Sequence, residues 1–404
     1  MRESAYPMLE FDVALDRVLE HVPVLPGVER RFDEAQGWVL AEEICATEPL
    51  PPFPASTVDG FAVVAADGTA PRRLVGEQFA GHSIDLEITP GQAARITTGA
   101  PMPAGADAVM MVEWSHEEGG RVAFTRPVQP GDFIRPIGSD IASGEAVLLP
   151  GSRLGPTEIG LLAALGISKV QVHRRPVVGV MSTGDELVEP GVAPQSGQIR
   201  DSNRFSLIAA LREAGMEPLD LGIVPDSWEA LQAIIARGLA RCDALLTSGG
   251  VSMGERDLVK PLLEQGGTIH FGRVNMKPGK PVTFATLEGK PFFALPGNPV
   301  SSLVSFEVLV RPALCKMSGL PAAAWQRPRF FAVLEQEVRH SPERPEFQRA
   351  HLRFAREVIY ASTTGNQASS RLLSMLGANA LLFLTGGRGD FAAGESVEAL
   401  FLGG

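Results

Sequence analysis

Between Arg174 and about Gly319 the chain alternates short apolar runs with amphipathic stretches. PVVGVMS, PLDLGIV, DALLTSG and FFALPG read as buried strands, and the segments after Asp201, Asp226 and Asp257 as helices. Strand and helix taking turns imply a doubly wound, mostly parallel sheet with helices on both faces. The caps agree. Asp201, Ser202 or Asn203 can cap the helix bearing Leu207, Ile208 and Leu211, and Gly215 stands where a left-handed C-terminal residue belongs. Such sheets take ligands outside the carboxyl ends of their strands. Those ends carry Ser182-Thr183-Gly184-Asp185-Glu186, Asp226, Ser248-Gly249-Gly250 and Pro296-Gly297-Asn298-Pro299.

The flanks have a different texture. Before residue 174, Pro and Gly punctuate short alternating strands such as RVAFTRPV, with helical spacing near Asp12 to His21 and Thr157 to Leu165. After about Ala322, RFFAVLEQEV, RAHLRFA, EVIYAST, ALLFLTG and ESVEALFLG form strands at regular intervals, the pattern of a small all-β domain. The fold class expected is therefore a multidomain α/β protein. A discontinuous, mixed helical N-terminal domain (1–53 and 136–173) surrounds a β-rich insertion (54–135), followed by the α/β domain (174–321) and a C-terminal β domain (322–404).

Length supports several cores, since 404 residues exceed what a single core normally sustains. Charge narrows the partners. Lys and Arg number 36 against 47 Asp and Glu, a net charge of −11, which disfavours a general nucleic-acid binder or an anionic-membrane adhesive. Any anionic ligand must then be held by a local cluster of cations. Cys45, Cys242 and Cys315 are odd in number and far apart in apolar surroundings, so they read as reduced core residues rather than a disulfide framework or zinc site. The N-terminal segment, with Val13, Leu15, Val18 and Leu19 near helical spacing, lacks a signal-type apolar run, and the longest apolar stretch is too short to span a bilayer. A soluble cytoplasmic protein is expected.

Several loops could carry chemistry. In DALLTSGGVSMGERD, Gly249 and Gly250 permit positive φ and close approach of a ligand, Ser248 and Ser252 add hydroxyls, and Glu255 and Asp257 supply the hard oxygens that Mg²⁺ prefers. A phosphate suits that loop; a plain strand-to-helix turn is the alternative. Met276-Lys277-Pro278-Gly279-Lys280-Pro281 sets two ammonium groups three residues apart on a proline-stiffened chain, either an oxyanion site or a charged surface turn. Asp185 and Glu186 can hold a metal that bridges phosphate oxygens, or simply open a helix turn. Ser301, after Leu295-Pro296-Gly297-Asn298-Pro299, is available to an anion or to a cap. Polar loops at 56–61, 97–101 and 135–140 each read as turns when taken alone. The histidines are scattered, His270 in TIHFG reads as a strand residue, and no G-x-S-x-G elbow supports a serine hydrolase.

Taken together these segments resemble the MoeA family of molybdopterin molybdenumtransferases, which includes the E domain of gephyrin. The blocks occur in the family's order over nearly the whole chain: S-x-x-D-G at 56–60, T-G-A-P-x-P at 98–103, G-D-x-I-R-x-x-G-x-D at 131–140, S-T-G-D-E-L at 182–187, S-G-G-V-S-x-G-x-x-D at 248–257, K-P-G-K-P at 277–281 and L-P-G-N-P-V-S at 295–301. The first block departs from the family's frequent S-A-M-D-G by reading Ser56-Thr57-Val58-Asp59-Gly60.

The resemblance implies a reaction. Adenylylated molybdopterin and molybdate are the substrates, the adenylyl group is cleaved with Mg²⁺, molybdenum enters the dithiolene, and AMP leaves with molybdenum cofactor. It also implies roles. Asp185, Glu186, Asp226 and Asp257 belong to the metal and phosphate region. Lys277 and Lys280, followed by Pro281, with Ser301, Arg349 in E-F-x-R and Ser369 in T-G-x-Q-x-S, belong to the molybdate region. Gly249, Gly250 and Ser252 cradle the pterin phosphate, and Thr183, Gly184 and Ser248 belong to the substrate-binding set. Asp59, Thr98, Arg135 and Asp140 line a cleft that the second subunit of a homodimer completes. Molybdopterin adenylyltransferase and molybdoenzyme maturation proteins are the partners to expect, with neither nucleic acid nor membrane. Two other readings share features with this one. A molybdopterin adenylyltransferase has the S-G-G-V-S loop but lacks the flanking domains, and a gephyrin-like scaffold would use the dimer without turnover.

Overall fold

The computed structural model describes residues 6–81, 85–250 and 258–403. Within it the chain forms two compact units: one from the chain up to Ala41, Gly151–Gly155 and everything from Lys169 onward, the other from Glu42–Pro150 and Pro156–Ser168.

The larger unit is built on a six-stranded sheet in the order Glu217–Val224, Val177–Thr183, Ala244–Ser248, Lys290–Leu295, Thr283–Leu287 and Gly267–Phe271. The first four are parallel, as expected from the alternating pattern, and their near-continuous apolar sequence follows from helices covering both faces. Thr283–Leu287 runs antiparallel to both of its neighbours, so the edge strand Gly267–Phe271 points the same way as the first four. That departure has a local cause. Glu288 and Gly289 both take positive φ (49° and 75°) in a two-residue turn between the paired Leu287 and Lys290, which makes a hairpin where a crossover helix would otherwise be needed.

Helices Asn203–Glu213, Trp228–Arg241 and Val259–Gly266 pack on the sheet through Leu207 and Leu211, Leu231 and Ile235, and Leu262 and Leu263. Asp201 Oδ1 accepts from Arg204 N at 3.2 Å and Ser227 Oγ from Ala230 N at 3.3 Å, so side chains satisfy amides that the first helical turn leaves free. Gly215 closes the first of these helices at φ 84°.

The C-terminal strands Arg329–Leu334, Val358–Thr363, Glu346–Ala355, Ala380–Leu384 and Ser396–Phe401 close into a barrel in that order, leaving no free edge. One apolar cluster ties the barrel to the rest of the unit. Phe347, Leu381 and Leu400 of the barrel pack with Phe306 and Leu309 and with the N-terminal helix Phe11–Glu20. That helix buries Phe11, Ala14, Leu15 and Val18, with Leu19 packed against the same cluster; of the four positions read from the spacing only Val13 is exposed.

The smaller unit carries a second six-stranded sheet in the order Ser115–Glu118, Arg121–Phe124, Arg72–Gln78, Gln92–Ile96, Gly60–Val63 and Ala108–Met111, together with the helix Pro156–Ala164. Of the three cysteines, Cys242 and Cys315 are buried as expected, but Cys45 is exposed. In the short strand Ile44–Cys45 the isoleucine takes the inward face, so the next side chain points out. No helix among the described residues is long and apolar enough to cross a membrane.

Candidate functional site

Two strand ends are joined by one side chain. Asn203, in the first turn of its helix, donates from Nδ2 to Ser248 Oγ at 2.8 Å and to the Gly297 carbonyl at 2.7 Å. Gly249 and Gly250 follow with φ of 94° and 69°. A Cβ on Gly249 would lie 2.6 Å from the Thr183 carbonyl oxygen, and one on Gly250 would lie 2.6 Å from Val259 Cγ2. Only glycine therefore fits, and the Ser182-Thr183 strand end sits directly against this turn. Thr183 Oγ1 is buried there without a hydrogen-bond partner among the described residues. Gly184 has φ 145°, and the Glu186 carboxylate folds over it where a side chain would otherwise stand. Ser252, Glu255 and Asp257, also expected in this loop, lie outside the described residues.

Beside Gly297 opens a polar cavity of about 520 Å³. It brings together five of the residues expected to hold an oxyanion, Lys277, Lys280, Pro281, Ser301 and Ser369. To these it adds Asn298, from the strand-end loop already singled out, and Arg344, which no motif marked. Three of its lining residues are cationic and none is a carboxylate. In a chain of net charge −11 that is the local concentration of positive potential that an anion site requires.

Backbone packing fixes this wall. Gly279, at φ 111°, lies so close to Met276 Cε and Ser305 Oγ that a Cβ would approach them to 2.6 and 2.7 Å. Asn298 Nδ2 donates to Ser369 Oγ at 3.0 Å and Val300 N to the Ser369 carbonyl at 3.1 Å, which draws the barrel loop 366–369 onto the helix Pro299–Ser305. Arg344 Nη1 donates to the Met276 carbonyl at 3.3 Å.

Arg349 does not join them. Its side chain is fully buried in the barrel strand, with Nε donating to Ser374 Oγ at 3.1 Å and Nη2 unpartnered. Burial pushes its pKa down to about 10, opposed in part by the nearby Glu346 carboxylate. Its link to the cavity is indirect. The Arg349 amide donates to Gln367 Oε1 at 2.9 Å, and Gln367 Nε2 donates back to the Arg349 carbonyl at 3.1 Å, a side-chain bridge that presents Gln367 as a lining residue.

The carboxylates occupy the neighbouring strand ends. Asp185 Oδ1 accepts from Asp226 N at 3.1 Å, so two of the acidic loops touch. Among the described residues no three His, Cys, Asp or Glu side chains converge tightly enough to hold a metal alone. Such a set still suits Mg²⁺, which keeps several waters and is commonly held by one or two carboxylates plus substrate phosphate.

The smaller unit holds its own polar constellation. Asp59 Oδ1 accepts from Thr98 N at 2.7 Å and from Thr98 Oγ1 at 2.9 Å, and these two hydrogen bonds hold the Asp59 carboxyl below the usual carboxylate range. Arg135 pairs with Asp140, Nε lying 3.1 Å from Oδ1. Strands Ala55–Ser56 and Ile134–Arg135 pair antiparallel, so both pairs spring from one ribbon.

Comparison with known proteins is consistent along the whole chain. Residues 9–166 match the MoeA N-terminal region (domain I and II), 179–316 a probable molybdopterin binding domain, and 332–402 the MoeA C-terminal region (domain IV). The chain is 38% identical to a molybdopterin molybdenumtransferase of Haemophilus influenzae, over 96% of this chain and 98% of that protein. It is 38% identical to gephyrin of Dictyostelium discoideum over its full length while spanning only 63% of that longer protein. Two crystal structures of molybdopterin biosynthesis moeA protein from Pyrococcus horikoshii superpose with TM-scores of 0.85 and 0.83 at 31% and 29% identity, each covering 98% of this chain and all of the other. The chain belongs to the MoeA family of molybdopterin molybdenumtransferases.

Proposed function

We propose that this protein inserts molybdenum from molybdate into adenylylated molybdopterin, cleaving the adenylyl group with Mg²⁺ and releasing AMP and molybdenum cofactor. One observation carries the reading: a cavity walled by Lys277, Lys280 and Arg344, with no lining carboxylate, stands next to a glycine turn at the strand ends. A tetrahedral oxyanion needs the cations and hydroxyls of the first. A phosphate needs the bare amides of the second.

Lys277 and Lys280 act as point charges on the oxyanion, and the Ser301 and Ser369 hydroxyls orient it. Gly249, Gly250, Ser248, Thr183 and Gly184 form the cradle for the pterin phosphate, with Ser252 assigned to the same loop. Asp185, Glu186, Asp226 and Asp257 would hold Mg²⁺, which neutralises charge on the phosphoanhydride when bound. Asp59, Thr98, Arg135 and Asp140 we assign to a cleft that a second copy completes, so that the working form is a homodimer. The protein is placed in the cytoplasm, receiving its substrate from a molybdopterin adenylyltransferase and passing the product to molybdoenzyme maturation proteins.

The test is release of AMP from adenylylated molybdopterin. The reading requires release that depends on both molybdate and Mg²⁺. Pyrophosphate formation from ATP would point instead to adenylyl transfer, and no turnover at all to a scaffold.

A further inference from the structure

Glu346 is a carboxylate only 1% exposed, and it lies between two nitrogen groups. Lys277 Nζ forms an ion pair with its Oε1 at 3.1 Å, and His340 Nδ1 faces its Oε2 at 3.1 Å. The other ring nitrogen, Nε2, lies 3.1 Å from the Thr385 carbonyl oxygen. A carbonyl only accepts, so Nε2 carries a proton. An ionised carboxylate also only accepts, so the Nδ1 contact needs a second proton, on the ring or on the carboxyl. With Lys277 Nζ against the other carboxylate oxygen, the geometry suits that proton on the buried ring, which sets Glu346 between a cation on either side. On the same segment the His340 amide donates to Asp390 Oδ1, which engages the backbone and not the ring.

The Lys277 side chain, 43% exposed, also lines the oxyanion cavity. We propose that His340 is a positioning residue that sets the charge of that cavity: by balancing Glu346 from the buried side, it leaves the Lys277 ammonium available to an incoming oxyanion. This rests on the cavity being the oxyanion site. Without the imidazolium, Glu346 presents an unbalanced negative charge that pins Lys277 and repels an anion in the cavity. Without the Glu346 charge, the same ammonium is released.

Molybdate alone, titrated calorimetrically into the full-length protein, tests this with His340→Asn, Glu346→Gln, the double variant and Lys280→Ala. Asn keeps a donor for Glu346 but no charge. The expected result is molybdate binding weakened roughly tenfold by His340→Asn, tightened about threefold by Glu346→Gln, and returned close to wild type in the double variant. Damaged packing would weaken binding in both single variants, so opposite signs separate charge from structure. If His340→Asn does not fold, Glu346→Gln decides alone: tighter binding upholds the role, and unchanged or weaker binding overturns it. Wild-type protein that does not bind molybdate, or Lys280→Ala that binds it equally well, overturns the cavity reading and this role with it. Weakening by Lys280→Ala, with the His340 and Glu346 variants moving together or not at all, overturns only the role of His340.

Discussion

The side-chain amide of Asn203 donates to Ser248 Oγ at 2.8 Å, and the same nitrogen holds the Gly297 carbonyl. One residue thus fastens the glycine turn to the loop that leads into the cationic cavity. Asn203→Ala removes both bonds and leaves a carbonyl and a hydroxyl to find new partners. We expect a loss of about 1–3 kcal/mol in denaturant unfolding and at least a roughly tenfold fall in AMP release. Turnover at the wild-type rate would show that the two loops hold their places unaided.

Gly249→Ala is a steric test of the same turn. The added methyl lies 2.6 Å from the Thr183 carbonyl oxygen at a φ of 94°, for an expected cost of about 2–4 kcal/mol. Because the obstacle is backbone, side-chain rearrangement cannot relieve it. Thermal unfolding and substrate binding should both suffer. A variant as stable as wild type would mean that the turn relaxes freely.

Lys280→Ala should weaken molybdate binding by roughly tenfold while changing unfolding by less than about 0.5 kcal/mol, since a half-exposed cation contributes little to stability. Rising ionic strength should narrow the difference between variant and wild type. Equal loss of stability and binding would argue that the lysine is structural.

Glu186→Ala should reduce AMP release without unfolding the protein, because the carboxylate lies over Gly184 at a strand end rather than in the core. Chelation of Mg²⁺ should abolish release and leave circular dichroism unchanged. Wild-type release in the Glu186 variant would remove that residue from the metal region.

His270 provides a pH test. Its ring lies 3.8 Å from that of His21, and burial, then the charges of His21 and Arg17, lower its pKa from 6.5 to about 4. The folded state therefore binds a proton less readily than the unfolded chain. Its contribution is fully present above pH 6.5 and is lost as pH falls toward 4. Melting temperature should drop across that window, and His270→Gln should flatten the drop; an unchanged slope would assign it to other groups.

Much of this architecture was legible in the residues themselves. Apolar runs such as DALLTSG can only be strands buried on both faces, and the glycine pair behind them marks a backbone that a ligand can approach. The hairpin at Glu288-Gly289 was harder to see, because a non-glycine residue at positive φ leaves no compositional mark. Arg344 was invisible as a site residue for a different reason. Its place on the wall comes from a barrel segment meeting the lysine loop, a long-range contact with no local periodicity. Arg349 was placed with the oxyanion by a motif match; its buried side chain lies on the strand face it shares with Phe347, and Gln367, hydrogen-bonded to its main chain, stands on the cavity wall.

The lysine loop is stitched into the barrel by its main chain, Lys277 N donating to the Pro345 carbonyl and Phe347 N to that of Lys277. Cutting the chain before residue 322 would therefore spare the glycine turn but strip the pocket of Arg344 and Ser369 and unmoor its first ammonium. On the proposed function, a free-standing sheet domain could still recognise a phosphate, yet it would have lost its means of admitting the metal.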